Sequence, residues 1–424
     1  MQIKLPYGTS FLEAEIPAER LEGILTPESF QTDKTGSALL EDALVNPIGS
    51  QRLRDLAAKA NKVVVVTSDH TRPVPSKQTM PHVLREIREG NPGAEITILI
   101  ATGLHRAPTP EEFISKFGSD IVQQETFVVH NADDPETLVR LSDLPSGAPL
   151  WVNRLAFEAD LLIAEGFIEP HFFAGYSGGR KSILPGISGR ETILVNHSAV
   201  FIDHPKTQSG TLEGNIFHRD MEDAAKQVNL QFILNVTLDE HKNIIGAFAG
   251  HPQKAFAEGV KFVEKLTKLT SKRAEIVLTS NGGYPLDQNL YQAVKSIRTA
   301  EYAAKKGGVI ITAASCIDGI GGGTFHQMLT APGGAQKILE DIRSTEPTAT
   351  DLDQWQVQIL VRILLDYRVI IVTEGVKPEV LHSMGLESAV SLAEALRKAY
   401  DYMGPEAKVI VIPNGAGVFI ESKD

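Results

Sequence analysis

Short apolar runs rich in β-branched residues recur along the chain, and polar or glycine-containing segments separate them. Within each run, polar and apolar positions alternate little. This pattern predicts strands that are buried on both faces, as in parallel sheets. Eight runs carry it, at 62–67, 95–102, 160–166, 232–238, 275–280, 308–314, 368–374 and 408–413.

Amphipathic stretches lie between these runs. The stretches "MPHVLREIRE" (80–89) and "SLAEALRKAYDYM" (391–403) repeat apolar residues every three or four positions, which predicts helices with one face on a core. Strands that alternate with helices are typical of the α/β class. The sequence therefore predicts an α/β fold with largely parallel sheets.

The length of the chain predicts two domains, because 424 residues exceed what one core usually holds. The polar segment 266–275 is the expected boundary. We therefore expect an N-terminal α/β domain over 1–270, which carries most candidate site residues, and a C-terminal α/β domain over 271–410. Residues 411–424 form a tail that could cross back to the first domain, and the active site is expected in the cleft between the domains.

Composition narrows the class of protein. The formal net charge is −12 and the sequence has no basic block, which argues against a nucleic-acid partner. The single cysteine, Cys316, excludes an internal disulfide and cysteine metal clusters. No apolar run approaches the roughly 18 residues of a membrane span, and the N-terminus lacks the apolar core of a secretory signal. We expect a cytoplasmic protein with no membrane partner.

Unusual polar residues follow several predicted strands. The segments after the strands include "SDHTRPVPS", "GLHRAPTP", "IEPHFFAGYSGGRKS" and "NGGYPLDQ". In open parallel sheets, ligands bind beyond the carboxyl ends of the strands. We therefore expect these four loops to contribute to one site.

The loop "GYSGGRKS" (175–182) is similar to a phosphate-binding P-loop, but Arg180 separates Gly179 from Lys181, which a P-loop would place side by side. The backbone of Gly178 and Gly179 could still approach a phosphate, with Arg180 or Lys181 supplying charge. Alternatively, the glycines only make a tight turn. The dinucleotide-binding motif G-x-G-x-x-G is absent.

Three histidines are candidates for chemistry. His105 and His171 each follow a predicted strand, and two bases on opposite faces of a substrate would suit a racemase or epimerase. Spacing alone does not show opposition, and two structural histidines explain the pattern equally well. His197 lies on a helix predicted to begin at the capping-box pattern Ser188 and Glu191. It is a candidate metal ligand or a surface histidine.

Anion-binding groups occur in two further places. Arg72 could clamp a carboxylate or phosphate with its planar fork, and Asp69 could orient it or cap a turn. Trp355 could line a pocket or simply pack. One face of a helix predicted after "NGGYPLDQN" carries Tyr291, Gln292 and Lys295.

Four long segments together resemble the nickel-dependent lactate racemase family. They are "TSDHTRPVPS", "IATGLHR", "GFIEPHFFAGYSGGRKSILPGIS" and "NGGYPLDQNLYQAVKS". The resemblance covers nearly the whole chain, from "LPYG" at 5–8 to "VIPNGAG" at 411–417.

The resemblance implies a cofactor, the nickel-pincer nucleotide (pyridinium-3-thioamide-5-thiocarboxylic acid mononucleotide), which dedicated cofactor-synthesis enzymes make. Lys181 would form its covalent thioamide link and His197 would ligate nickel. His105 and His171 would be the catalytic acid–base pair. The implied cofactor-binding residues also include Asp69, Thr71, Gly178, Gly179, Tyr291 and Gln292, and the implied substrate-binding residues are Arg72, Lys295 and Trp355.

The activity implied by the resemblance is inversion of the hydroxyl-bearing carbon of a small 2-hydroxyacid by hydride transfer, with lactate as the leading substrate. Alternative substrates are malate or an aldonate. Two other readings of the residues stay open. One is a conventional phosphate- or metal-dependent isomerase or hydrolase, and the other is a non-enzymatic carrier of a phosphorylated cofactor.

Overall fold

The computed structural model describes residues 1–28, 30 and 32–423. Within them the strands are Gln2–Tyr7 (β1), Ser10–Glu15 (β2), Leu21–Ile24 (β3), Lys62–Ser68 (β4), Glu95–Ala101 (β5), Thr126–Val129 (β6), Leu138–Arg140 (β7), Trp151–Asn153 (β8), Leu161–Phe167 (β9), Pro170–His171 (β10), Gly175–Tyr176 (β11), Leu230–Leu238 (β12), Ile244–Gly250 (β13), Lys268–Ser271 (β14), Ala274–Ser280 (β15), Ala304–Ala313 (β16), Arg368–Val372 (β17), Glu387–Ala389 (β18), Val409–Ile412 (β19) and Phe419–Ser422 (β20).

The α-helices of the same residues are Gly36–Val45 (α1), Leu53–Ala57 (α2), Ser76–Gly90 (α3), Pro110–Phe117 (α4), Ser119–Gln124 (α5), Arg154–Phe157 (α6), Arg190–Asn196 (α7), Ala199–Asp203 (α8), Ile216–Gln227 (α9), Pro252–Thr267 (α10), Leu290–Ala303 (α11), Gly323–Leu329 (α12), Gly334–Ser344 (α13), Gln354–Asp366 (α14), Pro378–Ser383 (α15) and Leu392–Met403 (α16). Short 3₁₀ turns occur at Pro135–Thr137, Gly179–Ser182 and Pro347–Ala349. All eight predicted strands and both helices predicted from the amphipathic stretches are present.

The described chain folds into two compact units. Unit I contains the described residues of 29–196 together with 206–265, and unit II contains 1–28, 197–205 and the described residues from 266 onwards. The final crossing, between Lys265 and Leu266, lies at the start of the segment where the sequence predicted the domain boundary.

The units differ from the predicted domains in three places. Residues 1–28 and 197–205 lie in unit II rather than in the N-terminal domain, and the 411–424 tail does not return to unit I within its described residues. Strand pairing is the physical reason at the two ends of the chain, because β3 extends the unit II sheet beside β19 and β20 pairs with β14. Residues 197–205 instead contact α14, where Gln358 donates to the Ala199 carbonyl. Pairing between segments hundreds of residues apart leaves no local pattern in the sequence.

Unit I is built on a six-stranded sheet with the order β13-β12-β9-β4-β5-β6. Its strands run parallel except for β13, which is antiparallel to β12. Val65 of β4 lies between Ile98 of β5 and Ile163 of β9, and all three are fully buried. Burial of each such side chain contributes about 1.5–3 kcal/mol. This explains why runs of apolar residues, rather than alternating ones, form these strands.

Unit II contains a six-stranded parallel sheet with the order β18-β17-β16-β15-β19-β3. Its central residues Leu278 and Ile311 pair in register and are fully buried. The helix α16 packs on one face through residues such as Leu392 and Ala399. The α/β class with largely parallel sheets is therefore confirmed. Among the described residues, no helix is long and apolar enough to cross a membrane.

Both sheets contain a point where the strand order reverses. In unit I the chain moves outward from β4 to β5 and β6 and then returns to the other side of β4 as β9. In unit II it moves from β15 through β16, β17 and β18 and returns as β19. Loops diverge at such a point and leave a crevice beyond the carboxyl ends of the strands. The segments after β4, β5, β9 and β15 carry the candidate residues.

Candidate active site

Asp69, Thr71 and Arg72 lie in the loop after β4, and His105 lies in the loop after β5. The Asp69 carboxylate is 2% exposed and accepts two hydrogen bonds from Thr71, from its backbone N at 3.0 Å and its Oγ1 at 2.6 Å. Its Oδ2 lies 2.7 Å from Nδ1 of His105. Arg72 Nη1 donates to Thr71 Oγ1 at 2.8 Å. The structure thus brings together four residues that the sequence placed in two separate loops.

The contact with Asp69 determines which ring nitrogen of His105 carries the proton of the neutral ring. Burial alone would raise the pKa of the Asp69 carboxyl, but the hydrogen bond and charge of His105, the charge of Arg72 and the hydrogen bond from Thr71 outweigh it and lower that pKa well below its usual range. Because an ionised carboxylate only accepts hydrogen bonds, Nδ1 of His105 carries the proton. In the neutral ring Nε2 then has a lone pair, which is the form required of a general base.

In His171 the roles of the two ring nitrogens are the reverse of those in His105. It ends β10, the first strand of a hairpin with β11, and its ring packs against Phe172 and Phe173, with centroids at 5.0 and 4.4 Å. The backbone N of Ala174 donates to His171 Nδ1 at 3.3 Å. The lone pair is therefore on Nδ1, and the neutral ring carries its proton on Nε2. In that neutral form Nε2–H donates a hydrogen bond, whereas proton donation as a general acid requires the ring to hold a second proton.

The glycine loop is shaped by close internal contacts. Gly178 and Gly179 have φ of +83° and +53°, a backbone region that favours glycine. A Cβ at Gly178 would lie 2.7 Å from both Asn235 Oδ1 and Phe167 O. The backbone N of Gly179 donates to Asn235 Oδ1 at 2.7 Å, so this amide already has an acceptor inside the fold. These observations explain why two glycines stand here.

Arg180 organises the same loop. It is 4% exposed, and its guanidinium donates to the carbonyl oxygens of Ala174 at 2.9 Å, Tyr176 at 2.8 Å and Gly178 at 3.2 Å. Its Nε donates to Nδ1 of His218 at 3.1 Å. Four of its five N–H groups are thus used within the loop and its support. The expectation that Arg180 could supply charge to a phosphate is not supported by this geometry.

Lys181 lies next to Arg180, within the 3₁₀ turn Gly179–Ser182. Its Nζ lies 5.5 Å from the centre of the Phe173 ring, which is also the ring that contacts His171. Phe173 is buried. One aromatic side chain therefore packs against both the candidate attachment lysine and the candidate acid.

His197 belongs to unit II, and the predicted position on a helix is wrong. The helix α7 ends at Asn196, and α8 begins at Ala199. The predicted capping box is not formed, because Ser188 Oγ donates to the Ile183 carbonyl and is fully buried. His197 is a buried residue between two helices. It is not the surface histidine that the alternative reading offered.

Helix α14 supports His197 and Tyr291. The ring of Trp355 lies edge-to-face with His197, with centroids 5.0 Å apart, and its Nε1 donates to Tyr291 Oη at 3.0 Å. Gln356 Nε2 donates to the Tyr291 carbonyl at 2.8 Å. Gln358 Nε2 donates to the carbonyl of Ala199, two residues after His197, at 3.0 Å. Trp355, His197 and Tyr291 thus form one connected group.

Helix α11 presents the remaining candidates. Asn289 caps it by accepting from the backbone N of Gln292 at 3.0 Å, and fully buried Asn281 donates to the Gln292 carbonyl at 2.6 Å. The prediction that Tyr291, Gln292 and Lys295 share a helix is correct. Among the atoms that the structure describes, Oε1 of Gln292 is buried without a hydrogen-bond partner, as is Oγ of Ser198.

Two charged groups near the first cluster were missed, the buried Glu165 and the half-buried Lys116. Glu165, 1% exposed on β9, accepts from the hydroxyls of Thr67, Ser76 and Thr79. Lys116 of α4 donates to Ser68 Oγ and to the Arg72 carbonyl, both at 3.2 Å. The carboxylate inside the apolar run "DLLIAEGF" was a signal that could have identified Glu165. Nothing in the sequence around Lys116 distinguishes it from a surface lysine.

Comparison with known proteins places the chain in a family. Residues 7–210 match the lactate racemase N-terminal domain, and residues 269–420 match the lactate racemase C-terminal domain. A lactate racemase of Thermoanaerobacterium thermosaccharolyticum is 48% identical over 423 residues, and one of Lactiplantibacillus plantarum is 45% identical over 421 residues. Each alignment covers 99% of this chain and 99% of the relative. The chain belongs to the lactate racemase family.

Solved structures agree with this membership. The lactate racemase apoprotein of T. thermosaccharolyticum superposes with a TM-score of 0.97, at 48% identity, over 99% of this chain and 100% of that one. A Thermotoga maritima protein shares the fold, with a TM-score of 0.65 and 22% identity over 88% of this chain and 98% of that one. The resemblance found in the four sequence segments is confirmed. As a member of the lactate racemase family, the chain is an enzyme of the isomerase class, a racemase.

Proposed function

We propose that this protein interconverts the two enantiomers of lactate with a nickel-pincer nucleotide bound to Lys181. Family membership supports the reaction. The structural observation that supports it most is the Asp69 carboxylate at Nδ1 of His105, which leaves Nε2 of that ring as the basic nitrogen. His105 has a lone pair on Nε2, whereas His171 carries a proton there. A racemase needs a base for the hydroxyl proton, and the protonated form of the second histidine can return a proton.

The residues of this chain fit the proposed cofactor. Among the described residues, no three or more His, Cys, Asp or Glu side chains are grouped to hold a metal ion. A single buried imidazole such as His197 suits a metal whose other donors belong to an organic ligand. The unpaired Oε1 of Gln292 and Oγ of Ser198, on the same unit as His197, supply polar atoms for such a ligand.

In this proposal Lys181 forms the covalent link and His197 ligates nickel. When bound, the cofactor would supply a hydride acceptor and donor, which avoids the carbanion that proton abstraction from Cα would require. Asp69, Thr71, Gly178, Gly179, Tyr291 and Gln292 are proposed to contact it. Dedicated synthesis enzymes are proposed to deliver it.

The chain's own contribution is binding and proton transfer. Nε2 of His105 accepts the hydroxyl proton of one enantiomer and the ring becomes an imidazolium, while a protonated His171 returns a proton from Nε2 to the product of that direction and becomes neutral. For the other enantiomer the two rings exchange roles. Arg72 and Lys295 bind the substrate carboxylate, Arg72 through the in-plane N–H groups of its guanidinium, and Trp355 lies beside His197.

The contacts of the glycine loop argue against the alternative of a conventional phosphate-dependent isomerase or hydrolase. A P-loop offers free backbone N–H groups and a free cation to the phosphate. Here the Gly179 amide donates to Asn235, and Arg180 donates to three carbonyls and a histidine. In this proposal the amine of Lys181 is the nucleophile that forms the covalent link, rather than the phosphate-binding cation of a P-loop.

Attachment of the cofactor is tested by intact mass and bound nickel, on protein co-produced with cofactor-synthesis enzymes. The variants are Lys181→Ala and, as matched control, Lys77→Ala, an exposed lysine of unit I. We expect a mass increment with nickel in the wild type and in the control, and neither in Lys181→Ala. A wild type without an increment, in a host where a related racemase gains one, would refute the cofactor assignment.

The substrate is tested with the loaded enzyme and a panel of single enantiomers of lactate, malate and an aldonate. Racemisation of lactate with the highest kcat/KM is expected. His105→Ala and His171→Ala should each reduce turnover by at least about 100-fold, the usual scale of lost acid–base catalysis, while retaining the mass increment. A preference for malate or an aldonate would keep the reaction class and replace the substrate.

A further inference from the structure

The loop of residues 68–75 joins β4 to α3 and carries Asp69, Thr71 and Arg72. Loops at the carboxyl end of a sheet are normally more mobile than the strands that they connect. An arginine that binds a carboxylate in a fixed geometry needs a fixed backbone. The contacts that hold this loop therefore bear on substrate binding.

Glu165 holds the two ends of the loop. It lies on β9, next to β4 in the sheet, and is 1% exposed. Its carboxylate accepts from Thr67, the residue before the loop, and from Ser76 and Thr79, the first turn of the helix after the loop. Three hydroxyl donors satisfy a buried carboxylate that would otherwise be costly. Both anchor points of the loop are thus tied to a single side chain.

Lys116 holds the middle of the loop. It lies in the last turn of α4, and its Nζ donates to Ser68 Oγ and to the carbonyl oxygen of Arg72, each at 3.2 Å. The second contact restrains the backbone of Arg72 itself. Burial lowers the pKa of the Lys116 ammonium to about 8, against the raising effect of the charges of Glu165 and Asp69. The fold therefore tolerates an unfavourable environment for this cation.

We propose that Lys116 and Glu165 are positioning residues that fix the 68–75 loop, and with it the direction in which Arg72 meets the substrate carboxylate. This inference rests on the proposed function, in which Arg72 binds that carboxylate. In this proposal both residues act through the loop rather than on the substrate. Their loss is therefore expected to raise KM more than it lowers kcat.

The first measurement needs no activity. Hydrogen exchange is followed by mass spectrometry on a peptide that spans residues 66–80, in the wild type, Lys116→Gln, Glu165→Gln and Ser68→Ala. Lys77→Gln is the matched control, because it makes the same change at an exposed lysine beside the same loop. We expect faster exchange in this peptide for the first three variants and wild-type exchange for the control.

The second measurement is racemisation of lactate by the loaded enzyme. For Lys116→Gln we expect KM to rise about tenfold, the factor that corresponds to about 1.4 kcal/mol, with kcat changed by less than about threefold. Lys116→Arg restores part of the affinity because it keeps a charged donor. If Lys116→Gln does not fold, Ser68→Ala removes one partner of the same ammonium and replaces it in both tests.

Two results would overturn the proposal. One is unchanged exchange in residues 66–80 for both Lys116→Gln and Ser68→Ala. The other is a large loss of kcat in Lys116→Gln with unchanged KM, which would assign the lysine a direct part in the reaction. A wild type without racemase activity would refute the proposed function instead, and the exchange data would still decide whether Lys116 and Glu165 hold the loop.

Discussion

Replacement of Asp69 by Asn tests the assignment of His105 as a base. The substitution keeps the size of the side chain and removes the charge that accepts the Nδ1 proton of His105 at 2.7 Å. An amide can also donate to Nδ1, which moves the ring proton to Nε2 and removes the lone pair that the reaction needs. The expected defect is therefore one of proton transfer, with substrate binding largely retained.

The magnitude follows from the strength of this contact. A hydrogen bond to a charged group contributes about 1.5–3 kcal/mol, and each 1.36 kcal/mol corresponds to a factor of ten in rate. Asp69 is 2% exposed but the His105 side chain is 46% exposed, so solvent screens part of the contact and the lower half of the range applies. We expect kcat to fall about 10- to 50-fold in Asp69→Asn.

The assay follows the approach to racemic lactate from each pure enantiomer, with a stereospecific dehydrogenase to measure the product. Intact mass confirms equal cofactor loading before rates are compared. Asp133→Asn is the matched control, because it breaks the exposed ion pair with Arg190 by the same substitution. A kcat within threefold of the wild type in Asp69→Asn, at equal loading, would refute the role of the carboxylate in setting the tautomer of His105.

Three further predictions concern groups that hold the fold around the candidate site. His130 is 3% exposed, and burial lowers its pKa to about 4. The unfolded chain binds a proton on this histidine near pH 6.5, whereas the folded chain binds it only near pH 4. As the pH falls from 6.5 to 4, the free energy of unfolding of the wild type should therefore decrease by about 3 kcal/mol. His130→Gln should lose correspondingly less when urea unfolding is measured across the same pH values. A lysine at position 180 cannot donate to three carbonyls and His218 together, so Arg180→Lys should lower the free energy of unfolding by about 1–3 kcal/mol. It should also reduce the fraction of chains that gain the mass increment at Lys181. A fraction equal to that of the wild type would contradict the role given to Arg180. Gln358→Leu leaves the buried Ala199 carbonyl without its donor, and should cost about 1–3 kcal/mol in the same unfolding assay, whereas Gln336→Leu, at an exposed position, should be neutral.

The strands and their carboxyl-end loops could be predicted from the sequence because the signals are local. β-Branched runs such as "KVVVVT" favour strands buried on both faces wherever they occur, and β4 indeed spans Lys62–Ser68. Polar residues directly after such runs lie at one edge of a parallel sheet, whichever order the strands take. For that reason the loops of Asp69, His105, His171 and Lys181 were identified without knowledge of the strand order.

The family was also readable from the sequence alone, since long segments with unusual residues are specific in a way that single residues are not. "GFIEPHFFAGYSGGRKSILPGIS" combines a histidine, an Arg-Lys pair and glycines at positions that a plain connector does not require. The roles of the individual residues are a different matter. They depend on which atoms meet, and a motif does not record that.

Tertiary contacts alone decided the remaining features. Arg180 and Lys181 are adjacent cations in the sequence, but only the fold shows that Arg180 donates to three carbonyls of its own loop. The opposite tautomers of His105 and His171 follow from a carboxylate 36 residues away in one case and from a neighbouring backbone amide in the other. His197 lies outside the helix predicted for it because α7 ends one residue earlier, at Asn196.

The same limit applies to the long-range pairings. Residues 1–28 join unit II through the β3–β19 pair, and Lys116 reaches the Arg72 carbonyl across 44 positions of sequence. The local pattern of apolar residues shows which face of a helix or strand is apolar, and this face depends only on the residues of that element. The partner of that face, or of a buried charge, is determined by where distant segments lie in the folded chain.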